Sequence, residues 1–281
     1  MDALITYFES IPASHRSIIL FGGLTVFLLL ENASPLFNFK YNKWKHLSIN
    51  LFFTFTTILV NFFMAFLLLK TSFWVEAAGV GLLQWINLHP VILLVVGLLL
   101  LDLVGAYTIH YIEHHVKWMW QFHVIHHTDL YVDASTSNRH HPGESVFRFI
   151  FTLLAIIIVG APFWMVMMYQ AMSAFFAQFT HWNIRLPKWF DSSLRWLFVT
   201  PDMHHVHHHY RQPYSDTNYG NIFSVWDRVF GTYKAADNDK LVYGVDTYHG
   251  HDETSDIWNL LKIPFAGYRQ PIEYQEEENL S

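Results

Sequence analysis

The segment LSINLFFTFTTILVNFFMAFLLL, residues 47–69, contains no charged side chain, and its polar interruptions are short and uncharged. A long helix with no charged face has no strongly water-facing side, so it belongs in a large core or in a bilayer. Its length settles the choice, because a helix crosses the hydrocarbon layer in roughly 20 residues. Three further apolar regions follow the same logic: Ser17 to Leu30, Val91 to Ile109, and Phe147 to Phe179. The last is too long for one ordinary crossing and carries Gly160, Ala161 and Pro162 in its middle. Proline breaks a helix interior, so this region is expected to form a hairpin of two arms.

Composition agrees: 52% of residues are hydrophobic and only 14% are charged, against roughly 25% charged in an average soluble domain. A secretory leader wants a basic start, whereas Met1 to Ser14 contains Asp2 and Glu9 and no Lys or Arg, which argues against one. Lys40, Lys43 and Lys45 lie between the first two apolar regions, while the connection from Lys70 to Pro90 has only Lys70. The positive-inside bias puts the first of these loops in the cytoplasm. Counting crossings then puts residues 110–146 there too, and a hairpin returns the chain to the same side before His181. Glu273, Glu276, Glu277 and Glu278 crowd the C-terminus as a solvated tail. No basic, aromatic-laced surface of the nucleic-acid-binding kind is visible.

The chain has 19 histidines and no cysteine. Disulfides, thiolate nucleophiles and self-ligated iron–sulfur clusters are therefore excluded, and any metal must be held by nitrogen and oxygen. The histidines come in three clusters: HYIEHH with His110 and His114, HVIHH with His123, His126 and His127, and HHVHHH with His204, His207 and His208. Residues three and four apart share a helical face, so each cluster can aim its rings at a common point. Such repeated spacing reads as metal binding. The set is too large for one tetrahedral zinc and suits two five- or six-coordinate ions. Imidazole accepts iron, zinc, copper and nickel alike. A histidine cage next to lipid-embedded helices favours iron, since lipid C–H bonds need dioxygen chemistry. His249 and His251, in YHGHD, lack the spacing and read as structural.

These residues resemble the membrane-bound sterol desaturase and fatty acid hydroxylase superfamily. The resemblance begins in DLVGAYTIHYIEHHVKWMWQFHVIHH, continues through RHHP, THWNIRLP and TPDMHHVHHHY, and ends in TNYGNIFSVWDRVFGTY, roughly residues 95–235. It implies an integral membrane oxygenase with a non-haem di-iron centre of two Fe, hydroxylating or desaturating a lipid with O2 and external electrons. Carried over position by position, the ligands are His110, His114, His123, His126, His127, His204, His207 and His208, with His141 and His181 completing the cage. Asn183 and Asn218 fall where a polar outer shell would be useful. Thr108, Tyr111, His140, His205 and His209 depart from residues the family often has, namely Trp, Arg, Phe, Arg and Ser; the ligand positions stay occupied. His115, His140, His205 and His209 receive no role.

The expected fold is all-α and polytopic, with transmembrane helices topped by a cytosolic helical cap that forms the histidine cage. Its expected parts are N-terminal membrane helices (1–90), a catalytic domain (91–235) and a C-terminal cytosolic tail (236–281). In that tail SDIWNLLKIPF reads as an interfacial or docking helix capped by Ser255. Asp227 and Arg228 read as an ion pair. No GxGxxG nucleotide motif is present, so the electrons are expected from a cytochrome- or ferredoxin-type donor. A bacterial inner membrane is the expected location. A membrane metal-handling or transport protein, or a zinc-dependent membrane hydrolase, are the alternatives. Glu113 and Asp202 are available as bases for the latter, but neither sits in HExxH.

Overall fold

The computed structural model describes residues 1–248 and 250–270. The acidic tail and His249 lie outside the described residues, as does the side chain of His251. Among the described residues the fold is all-helical, with no β-strand. The runs Ala13–Leu30, Lys43–Gln84, Pro90–His115 and Pro142–Val159 are each long and apolar enough to cross a membrane.

A short helix α1 (Asp2–Glu9) precedes α2 (Ala13–Leu30). Leu4, Ile5 and Phe8 of α1 lie against the main core. The second apolar region is only the middle of α3 (Lys43–Ala78), a 36-residue helix. At 1.5 Å per residue that is about 54 Å, well beyond a hydrocarbon layer of roughly 30 Å. Polar residues at both ends carry it past the apolar stretch: Asn42 caps it by accepting from the Lys45 amide at 3.1 Å, and Gly79 ends it at φ 61°. Phe62 (73% exposed), Phe63 (76%) and Phe66 (59%) point away from the bundle, which suits a lipid-facing side.

Helix α4 (Pro90–His115) contains a π-helical stretch, Leu103–Thr108, just before its first histidine. The Thr108 hydroxyl donates to the Leu103 carbonyl at 2.8 Å, occupying an acceptor in the wider turn. Helix α5 (Lys117–His127) follows almost at once. The expected hairpin is present as α6 (Pro142–Val159) and α7 (Phe163–His181), with Gly160 in the left-handed region (φ 73°) between them. Phe149, Ile156 and Val159 of α6 and Met165, Val166 and Tyr169 of α7 form the centre of the core with Leu98 and Leu101 of α4.

The remaining elements are short: α8 (Lys188–Leu194), α9 (Pro201–His207), α10 (Val225–Val229), α11 (His251–Thr254) and α12 (Ile257–Lys262). Asp256, one position later than expected, caps α12 by accepting from the Asn259 amide at 2.9 Å. Leu260 and Ile263 bury themselves against Ile49, Phe53, Val124 and Ile125, so the segment docks on α3 and α5, with Trp258 and Phe265 exposed. Asp227 and Arg228 do not pair. The Asp227 carboxylate accepts from the amides of Tyr219 and Gly220, and Arg228 donates to the Arg195 and Ser224 carbonyls.

Two buried polar junctions fix the helices at the histidine-bearing end. Asp102 of α4, fully buried, accepts from the amides of Ile222 (3.3 Å) and Phe223 (3.1 Å) and from the Tyr169 hydroxyl. Near the start of α3, His46 donates to Asp129 at 2.9 Å, and Asn50 accepts from Arg139 at 3.0 Å. Arg139 also donates to the Ile125 and Thr254 carbonyls, joining α3, α5 and α11. The end of α3 that carries Lys43 and Lys45 therefore lies on the same side as the histidines.

The hairpin turn allows a test. Gly81 (φ 101°) lies so close to it that a Cβ would stand 2.3 Å from the Gly160 nitrogen and 2.7 Å from the Ile157 carbonyl oxygen. Gly81→Ala is expected to cost more than the roughly 1–3 kcal/mol of a strained dihedral alone. Thermal unfolding in detergent should show a lowered midpoint; an unchanged one would mean this contact does not hold the hairpin.

Candidate metal centre

Nine histidines from four segments meet in the interior as two adjoining groups. His110, His114, His123, His127 and His207 form one, and His126, His181, His204 and His208 the other; within each, the ligand atoms lie within 4.8 Å of one another. Helix geometry explains the sorting. On α5, His123 and His127 are one turn apart and face the first group, while His126 between them faces the second. The cluster at α9 does the reverse: His204 and His208 face the second group and His207 the first. Each HxxHH motif thus contributes to both groups, and the two are interlocked. The i, i+4 pair of α4 completes the first group and His181, at the end of the hairpin, completes the second.

Donor spacing fits an ion. The Nε2 atoms of His126, His204 and His208 each lie 3.1 Å from Nε2 of His181, and those of His123 and His127 are 3.2 Å apart. Two nitrogens bound at right angles about 2.1 Å from one metal lie about 3 Å apart. Nε2 of His110, His114 and His207 is buried without a hydrogen-bond partner, as a ligand atom would be. The first group has its outer nitrogens held from behind. Nδ1 donates from His110 to the Tyr219 carbonyl (2.9 Å), from His114 to Asp216 (3.0 Å), from His123 to Glu144 (2.8 Å) and from His207 to the Thr217 carbonyl (2.7 Å). Each such bond fixes the tautomer that turns Nε2 inward.

The rings are in the form a metal needs. Burial, reinforced by neighbouring imidazoles, holds His123, His126, His127, His204 and His208 well below the ordinary histidine pKa, and burial with repulsion from His114 does the same for His207. They are neutral at pH 7 and present lone pairs.

Of the sequence-derived ligands, His141 is not brought to either group. It caps α6, its Nδ1 accepting from the Gly143 amide at 3.0 Å, and its ring lies among Phe122 and Phe265. His140 takes the inner place instead: its ring stacks on His126 at 4.5 Å and its Nδ1 lies 2.8 Å from Glu144. Asn183 and Asn218 bond backbone, not imidazoles. Asn183 pairs with both backbone groups of Phe37, and Asn218 (φ 55°) staples Met203 to Lys234. His205 bonds the Tyr243 hydroxyl, His209 accepts from the Val242 amide, and His115 stacks on Tyr111 at its own helix end. Sequence reasoning missed Glu144, Asp216 and the ion pairs of Arg148 with Glu113 (2.6 Å) and Glu144 (2.9 Å). The cue was local for Glu144, a carboxylate one turn after the histidine pair of RHHPGE.

Residues 94–232 match the family model for fatty acid hydroxylase. This segment belongs to the fatty acid hydroxylase family. Among curated relatives, it is 28% identical to ornithine lipid hydroxylase OlsE of Rhizobium tropici over 53% of this chain and 43% of the relative. It is 31% identical to alkylglycerol monooxygenase of Danio rerio over 59% of this chain and 35% of the relative, and 30% identical to that of Homo sapiens over 50% and 30%. The chain spans less than half the length of these relatives. No solved structure matches it.

The neutral interior predicts acid sensitivity. Burial pushes His205 down to about 4 from its ordinary 6.5. The unfolded chain therefore takes up the proton first, so this stability is complete above pH 6.5 and is lost as pH falls toward 4. His205 alone contributes on the order of 3 kcal/mol. Thermal melting of metal-free protein should drop from pH 7.5 to about pH 5; a flat profile would contradict the neutral assignment.

Proposed function

We propose that the protein is a membrane-bound oxygenase that hydroxylates a lipid, with two iron ions held by the nine grouped histidines. The observation that carries the reading is the double imidazole nest within a segment matching the fatty acid hydroxylase family. Residues 1–90 serve as membrane helices, 91–235 as the catalytic unit, and 236–281 as a C-terminal part. Two relatives named for hydroxylation or monooxygenation of lipids favour insertion of oxygen over desaturation.

Iron bound there would supply the activation of dioxygen needed to break an unactivated C–H bond. The chain's own residues do the rest. Nine neutral rings carry no charge into the interior, so the carboxylates that face the ions' charge are Asp216 and Glu144 behind the first group, while Glu113 is engaged by Arg148. The Glu144 carboxylate holds His123 in register, and Arg148 in turn holds Glu144. Phe and Leu faces of α3, α4 and α6 hold the hydrocarbon environment from which a lipid is drawn. The lysine loop, through the positive-inside bias, supports a cytoplasmic position for the histidine-bearing end, where a cytochrome- or ferredoxin-type donor would deliver electrons. A bacterial inner membrane remains the proposed location.

Metal analysis of anaerobically purified protein, with Mössbauer spectroscopy after growth on enriched iron, tests the centre. A coupled pair of irons per chain is expected; zinc alone from iron-replete cells would overturn it. His126→Ala and His207→Ala should lower turnover by at least the roughly 100-fold that losing even an outer partner of a ligand can cost. Lipid extracts from cells given isotopically heavy dioxygen should gain a labelled hydroxyl that depends on the intact protein. Product formed equally well without dioxygen would remove the oxygenase reading.

A further inference from the structure

The two histidine groups differ in what stands behind their rings. In the first, four of five Nδ1 atoms donate to fixed acceptors, two of them the carboxylates of Asp216 and Glu144. In the second, among the described residues, only one does: Nδ1 of His181 donates to the Ala177 carbonyl at 2.7 Å, one turn back on its own helix. Nδ1 of His126, His204 and His208 is buried with no hydrogen-bond partner among the described residues. Among the described residues no carboxylate forms an ion pair with a ring of this group, whereas His114 and His123 of the first group each have one.

These differences have an energetic direction. A ring whose Nδ1 proton is fixed is already in the tautomer that offers Nε2, and a carboxylate behind it makes the nitrogen a better donor. It also places negative charge near an entering dication. A ring without such a partner must select tautomer and orientation when the ion arrives. Losing such outer partners typically costs about 10- to 100-fold in metal affinity.

We infer that the two groups load in sequence: the five-histidine group takes the first ion and keeps it, and the four-histidine group takes the second ion weakly and yields it first. Asp216 and Glu144 are the positioning residues that create the gap. This inference rests on the reading that both groups hold metal. It gives the two ions separate duties, since the weakly framed group, with four protein nitrogens, is the one free to exchange ligands.

The test uses full-length, detergent-solubilised protein stripped of metal and titrated without oxygen, first with Co(II), whose absorption reports coordination, and then with Fe(II). Two steps are expected, with release of the two ions into a chelator separated by at least about 10-fold in rate. His204→Ala should lose the weak step and keep the tight one; His114→Ala should weaken the tight one. Asp216→Ala should weaken the first step by roughly 10-fold or more and leave the second in place. Asp216→Asn, which retains an oxygen for His114 but no charge, should fall between. A single binding and release phase in the native protein overturns the inference, as does loss of the tight step in His204→Ala. Protein that binds no ion removes the metal reading itself; two ions held equally well remove only the sequential one.

Discussion

Everything at the histidine-bearing end depends on keeping nine imidazoles uncharged in a buried space. A protonated ring there would face both desolvation and several like charges, so the nest exists only if its rings stay neutral. That demands close confinement, and confinement demands that helices distant in sequence arrive at one place with fixed rotation. The hairpin of α6 and α7 satisfies this by returning the chain to the end from which it left, and the π-helical stretch of α4 lies immediately before His110. The arrangement costs the protein backbone irregularity at places where a simple bundle would have none.

Much of this was legible in the sequence because the relevant spacings are local. The apolar runs at 17–30, 47–69 and 91–109 announced the spans, and Gly160 to Pro162 announced the hairpin. The i, i+4 pattern placed His110 with His114, His123 with His127 and His204 with His208. What the spacing did not disclose is that each HxxHH motif divides between two groups, because that depends on how α5 and α9 cross. Nor did it separate His140 from His141. His141 adopts the extended backbone of a helix cap (φ −61°, ψ 142°), which turns its ring to the Gly143 amide, and its neighbour occupies the inner position.

The same limit applies to the outer partners. Asn183 and Asn218 are amides in suitable positions, yet both are used up by backbone that would otherwise lie buried and unpaired. Asp216 stands 102 residues from His114 and meets it only through the folded loop before α10. The network around Asp129 shows the same economy: against the rise that burial imposes, His46 and Arg139 hold its carboxyl well below the usual range. That ionised group ties α3 to the end of α5, two residues beyond His127.

The junction at Asp102 bears on how such a centre can be assembled. Its carboxylate, in the middle of α4, accepts from the Tyr169 hydroxyl and from the amides of Ile222 and Phe223, which come late in the chain. During synthesis the membrane helix is made long before those amides exist, so a buried acid waits in the bilayer with two of its acceptor sites unfilled. The chain must therefore extend past residue 223 before the helix that carries His110 and His114 is locked. Completion of the histidine nest is in this sense a late event of biogenesis, and a chain stalled between α9 and α10 would already hold all nine imidazoles while lacking the clasp that sets them.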